Sequence, residues 1–140
     1  MPTRKAHARW EGTIKDGKGT LDFGNGAFNG AYSFGSRFGD GAGTNPEELL
    51  GAAHAGCFAM ALSLILGEAG LTAEKMETKA EVTLDKVGDG YAITAIHLSL
   101  QARIPGADPA KFQELANKAK EGCPVSKLLN TSITMTANLL

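Results

Sequence analysis

"NPEELLGAAHAGCFAMALSLILGEAG", residues 45–70, is the stretch whose reading decides the fold. Asn45 is a good helix N-cap, Pro46 suits the first helical position, and Glu48 stands where a capping box places its acid. Apolar residues then recur at 49, 50, 53, 57, 60, 61, 64 and 65, which is helical spacing. Gly70 is a natural residue just past a helix end. Gly51, Ala52, Ala53, Ala55 and Gly56 let another backbone approach the helix closely. The body of this helix carries one cysteine, Cys57, and the bland reading of it is packing, since a free cysteine behaves as a small hydrophobe.

Outward from the helix, the chain reads as strands. Upstream, "AHARWEGTI" (6–14) and "GTLDF" (19–23) flank "KDGKG", where Asp16-Gly17 is a hairpin signal. "AFNGAYSF" (27–34) reads as a third strand, and "GSRFGDGAGT" (35–44) as a Gly-rich loop carrying Arg37. It lacks the lysine of a phosphate-binding loop. Downstream, "METKAEVTLDKV" (76–87) and "YAITAIHLSLQARI" (91–104) return to period two around a "GDG" hairpin. Asp108 and Pro109 open a second helix that ends at Gly122. Cys123-Pro124 opens a short third one with Cys123 as N-cap, and "SITMTANL" (132–139) is a last strand. The order β-β-β-α-β-β-α-α-β indicates an α+β fold, mostly antiparallel sheet around a long central helix, with residues 1–140 as a single domain.

Composition excludes several classes. A chain of 140 residues suits one core, and 43% hydrophobic residues is ordinary for a soluble protein. Fourteen basic and fifteen acidic residues leave a net charge of −1, so no basic excess invites nucleic acid or an anionic membrane. The start, "MPTRKAHARWEG", has no apolar core of a secretory signal, and the expected compartment is the cytoplasm. The low-charge run 49–66 contains His54 and is closer to a core helix than to a membrane span. Structural disulfides are rare in the cytosol, so if Cys57 and Cys123 pair, the pairing is redox work rather than stapling.

Each candidate has a plain alternative. Cys57 lies mid-helix, where nothing lowers its pKa unless a cation is near. Cys123 stands at a helix N-terminus, where the dipole favours thiolate, so on this argument alone it is the more acidic thiol. Arg37, between Phe34 and Phe38, reads by default as a solvated arginine. Glu47 and Glu48 complement the helix dipole; Glu48 is taken by the cap and Glu47 is the spare carboxylate. His54 and Cys57 share a helix face and could form a Cys-His nucleophile couple or ligate metal, but no second ligand pair accompanies them. His7 and His97 lie in strand-like stretches and read as packing or surface residues.

Taken together, "RF" at 37–38, "GTNPEELLGAAHAGCFAMAL" and "EGCPVSKLL" resemble the osmotically inducible protein C (OsmC) and organic hydroperoxide resistance (Ohr) family. The resemblance spans the chain, and "RWEGTIKDGKG", "SRF" and "CPVSK" are similar to its OsmC branch. It implies an OsmC-like fold as an intertwined homodimer. It also implies a thiol peroxidase without metal, haem or other cofactor, reducing organic hydroperoxides and hydrogen peroxide in oxidative and osmotic stress defence. Cys57 matches the peroxidatic cysteine, Cys123 the resolving cysteine, Glu47 the glutamate of the Asn-Pro-Glu motif and Arg37 the arginine of the "RF" loop. The implied partners are the hydroperoxide, a lipoyl-type or thioredoxin-like dithiol reductant and a second copy of the chain, with neither nucleic acid nor membrane. The resemblance reverses the preference for Cys123 as attacking thiol, with Arg37 as the cation that Cys57 lacks. A cysteine-pair redox sensor or binding protein without turnover is the rival reading.

Glu47 and Cys57 are ten residues apart, which separates them by roughly 15 Å along one helix and turns them by roughly 80°. A glutamate cannot span that distance to serve an arginine at the sulfur of its own helix. Either the helix breaks at Gly51, or the carboxylate serves the cysteine of a second subunit, and the capping signals favour the latter.

Overall fold

The 140 residues, all described in a computed structural model, divide into two compact units, Met1–Leu49 and Leu50–Leu140. In the first, β1 (Ala6–Glu11), β2 (Lys18–Phe23) and β3 (Asn29–Tyr32) form an antiparallel meander. Gly19 lies between Trp10 and Tyr32 in the register, and those rings stand 5.4 Å apart. A Cβ at Gly19 would meet Tyr32 Cε1 at 2.5 Å, so only glycine fits there.

Two local expectations change. The first hairpin exists, but β1 stops at Glu11 and the loop takes residues 12–17. The turn is Ile14–Asp16, closed by the Gly17 N–H bonding Thr13 O at 2.8 Å, and Gly12 takes φ 98 where β1 ends. The Gly-rich segment is not all loop, because Phe34–Phe38 forms a short helix, α1. Ser33 caps it: its Oγ accepts from Ser36 N–H, and Ser36 Oγ accepts from Ser33 N–H at 2.8 Å. Serine in place of the usual acid at the third position hid this capping box from the sequence.

The long helix, α2 (Pro46–Glu68), is continuous through Gly51, and the boundary between the units falls inside it. Asn45 Oδ1 accepts from Glu48 N–H at 2.8 Å. The reciprocal bond runs from Asn45 Nδ2 to Glu48 Oε1 rather than from the cap's backbone N–H. At the other end Gly70 takes φ 76, while Leu71 N–H bonds Leu66 O and Gly70 N–H bonds Gly67 O, the paired bonds of a Schellman ending.

The second unit has one sheet in the order β4-β5-β6. β4 (Lys75–Val87) and β5 (Gly90–Arg103) are antiparallel across a two-residue turn whose first residue, Gly88, has φ 60. A positive φ at the first central position only is the type II′ pattern. β6 (Ser132–Leu139) runs parallel to β5, because α3 (Pro109–Gly122) and α4 (Pro124–Leu128) form the crossover between them. Ile96, Leu98, Leu100 and Ala102 alternate onto one face of β5 and form a core with Phe58, Leu62 and Leu66 of α2 and Phe112, Leu115, Ala116 and Ala119 of α3.

The inward line of α2 is therefore 54, 58, 62 and 66, turned from the apolar set read in the sequence. Met60 and Leu64 are 76% and 65% exposed. A helix apolar all round does not say which side faces its own core. The small residues divide in the same way: β4 approaches Gly51, where a Cβ would meet Val82 Cγ2 at 3.4 Å, and nothing lies within 4 Å of Gly56.

Candidate active site

Cys123 is fully buried because it prolongs the inward stripe of α3, 112, 115, 116 and 119, by one more turn. Proline at 124 disfavours helical backbone at the residue before it. Cys123 is accordingly extended, at ψ 129, and it both ends α3 and caps α4. That corner lays α4 against α2. The Cys123 and Cys57 sulfurs stand 2.8 Å apart as free thiols, with Cys123 donating.

Burial is the first cause that pushes the Cys57 thiol above its ordinary pKa, followed by the hydrogen bond to Cys123. The backbone N–H of Val125, in the first turn of α4, bonds the Cys57 sulfur and opposes the rise. Sequence reasoning missed this donor, although a Cys-Pro cap leaves amides of the next turn unpaired. The causes that act on Cys57 are burial, Cys123 and the Val125 amide, and none of them is a cation.

His54, one turn before Cys57, is fully buried among the apolar residues of the core. Its Nε2 pairs with Ser126 Oγ at 2.7 Å, and its Nδ1 is buried with no partner. Burial lowers its pKa, which favours the neutral ring. No carboxylate orients it, so a Cys-His hydrolase couple is not built here. His7 bonds Asp22 at 3.0 Å, and His97 bonds Thr134 and Thr136 across to β6, the surface and strand roles expected of them.

In the first unit Arg37 Nε donates to Glu47 Oε1 at 2.8 Å. Glu47 is buried; its Oε2 has no partner. The pair is held from below: Ser36 Oγ donates to Thr44 O at 2.7 Å and Asn45 Nδ2 to Ser36 O at 3.0 Å. The Arg37 guanidinium also lies over the Phe38 ring, 5.6 Å from its centroid. Beside it Trp10, Ile14, Tyr32, Phe34 and Phe38 line an open pocket of about 250 Å³. The structure thus brings Arg37 to Glu47 in one unit and Cys57 to Cys123 in the other.

An α+β chain with two facing thiols, one buried and one half-exposed, and a guanidinium held by a carboxylate defines a dithiol protein of redox type. Residues 39–138 match the family described as OsmC-like protein. The chain is 52% identical over 137 residues to "Peroxiredoxin OsmC" of Escherichia coli, covering 97% of this chain and 96% of that one. It is 34% identical over 102 residues to "Organic hydroperoxide resistance protein" of Xanthomonas axonopodis pv. citri, covering 71% and 68%. The crystal structure of the organic hydroperoxide resistance protein OhrB of Bacillus subtilis superimposes with a TM-score of 0.72 at 29% identity, covering 99% of this chain and 98% of that one. The chain belongs to the OsmC-like protein family.

Proposed function

We propose that the protein is a cysteine-based peroxidase that reduces organic hydroperoxides, and hydrogen peroxide, to alcohols and water. The observation that carries this reading is the 2.8 Å approach of Cys57 and Cys123. Cys57 is the attacking thiolate, taking one oxygen of ROOH while alkoxide leaves and becomes ROH. The sulfenic acid left on Cys57 condenses with Cys123 to a disulfide and releases water. A lipoyl-type or thioredoxin-like dithiol then reduces the disulfide by exchange. Arg37 stabilises the thiolate and donates to the peroxide oxygens, and Glu47 fixes its planar fork. The aromatic pocket beside Arg37 suits the apolar R group of an organic hydroperoxide.

The working form is a homodimer in the cytoplasm, each chain acting as one domain. Met60 and Leu64 give α2 an exposed apolar side that a second copy covers. The continuity of α2 through Gly51 supports a site in which Arg37 and Glu47 of one subunit serve Cys57 of the other. The test is steady-state consumption of cumene hydroperoxide with dihydrolipoamide and, separately, with thioredoxin and its reductase. Sustained consumption that disappears in Cys57→Ser is the expected result. One stoichiometric oxidation with no turnover by either reductant refutes the peroxidase reading and leaves the redox sensor.

A further inference from the structure

His54 and Ser126 repeat the geometry of the two cysteines one turn away. His54 and Cys57 are three residues apart on α2, and Cys123 and Ser126 three apart around α4. The two elements are therefore joined by two rungs, sulfur to sulfur at 2.8 Å and His54 Nε2 to Ser126 Oγ at 2.7 Å. The first rung is consumed by the reaction and the second is chemically inert to it. A fully buried ring whose Nδ1 has no partner destabilises a core that an apolar side chain would fill without that penalty. The histidine therefore calls for a role other than packing.

We propose that the His54–Ser126 bond is a latch that holds α4, and with it Cys123, on Cys57 while Cys57 is a sulfenic acid; the inference rests on the peroxidase reading above. Helix α4 has five residues, too few to be stable alone, and its N-cap Cys123 makes no side-chain capping bond. Val125 and Leu129 pack against the core, but apolar packing is not directional and does not set the sulfur spacing. Closure is Cys57–S–OH plus Cys123–SH giving Cys57–S–S–Cys123 plus water. The S–O bond breaks, the S–S bond forms, and the Cys123 proton leaves with the hydroxide. From 2.8 Å the sulfurs need less than about 1 Å of travel to reach bonding distance, so a fixed spacing gives Cys123 a high effective concentration. His54 and Ser126 are positioning residues for this second step and touch neither peroxide nor reacting sulfur.

The experiment is single-turnover quenched flow on reduced protein with one equivalent of tert-butyl hydroperoxide, following peroxide loss, dimedone-trapped sulfenic acid and disulfide separately. Ser126→Ala should consume peroxide at the wild-type rate, close the disulfide up to about tenfold more slowly and accumulate more sulfinic acid under excess peroxide. Ser126→Thr, which keeps the hydroxyl, should restore closure. His54→Leu added to Ser126→Ala should slow closure no further, since both remove one bond. Wild-type closure in Ser126→Ala overturns the latch alone. So does slowing of both steps by one factor with a lowered Tm, which is general loosening. A wild-type protein that forms no disulfide overturns the latch and the peroxidase reading together.

Discussion

Arg37→Met removes the guanidinium while keeping an unbranched side chain, and its effect follows from the state of Cys57. Burial and the Cys123 thiol raise the Cys57 pKa within its own chain. A raised pKa keeps the sulfur mainly in the unreactive thiol form near neutral pH. Glu47 takes the Nε of Arg37, so in the proposed site the sulfur and the peroxide would meet its terminal amino groups. A unit charge at about 4 Å with an effective dielectric near 20 contributes about 4 kcal/mol, roughly a thousandfold in thiol acidity. Arg37→Met should therefore slow the first oxidation by about 100-fold or more near neutral pH, the usual loss when a donor to the reacting charge is removed. Raising the pH ionises the thiol without help, so much of the loss should return in alkali, while the wild-type rate stays flat there. Ultraviolet thiolate absorbance against pH, beside stopped-flow oxidation rates, measures both quantities. A variant that titrates and reacts like the wild type refutes Arg37 as the activating cation.

Further outcomes follow from the same geometry. Mixing inactive Cys57→Ser with inactive Arg37→Ala under subunit exchange should recover activity, because a site shared between subunits leaves one intact in the heterodimer; no recovery despite demonstrated exchange sinks that arrangement. Cys57→Ser should abolish turnover, whereas Cys123→Ser should still reduce one equivalent of peroxide and then over-oxidise, as intact-protein mass would record; loss of the first turnover in Cys123→Ser inverts the roles. Cys123 is fully buried and Cys57 half-exposed, so an external dithiol should attack Cys57 Sγ and expel Cys123; peptide mapping of a trapped mixed disulfide should place the adduct on Cys57. Leu62→Ala, at a fully buried core position, should cost about 2–5 kcal/mol in urea unfolding, against under about 0.5 kcal/mol for a polar substitution at exposed Asn117.

Local chemistry was legible without a structure wherever neighbours along the chain decide the outcome. Asn45-Pro46 and Gly70 mark both ends of α2, Asp108-Pro109 starts α3, and Cys123-Pro124 ends it, because caps and proline act within a turn of themselves. Alternation in β4 and β5 announced strands for the same reason. The motifs around Cys57 and Cys123 carried the family. Tertiary packing decided the rest. An all-apolar helix has no preferred inner side until a sheet covers one, so the sequence could not say that His54, Phe58, Leu62 and Leu66 face inward while Met60 and Leu64 face out. The parallel pairing of β6 follows from where α3 and α4 carry the chain. The approach of thiols 66 residues apart to 2.8 Å, and the bond from His54 to Ser126, exist only because α3 turns its inward stripe, Cys123 included, onto α2. Residues that far apart along a chain are joined by packing, and spacing in a sequence carries no measure of it.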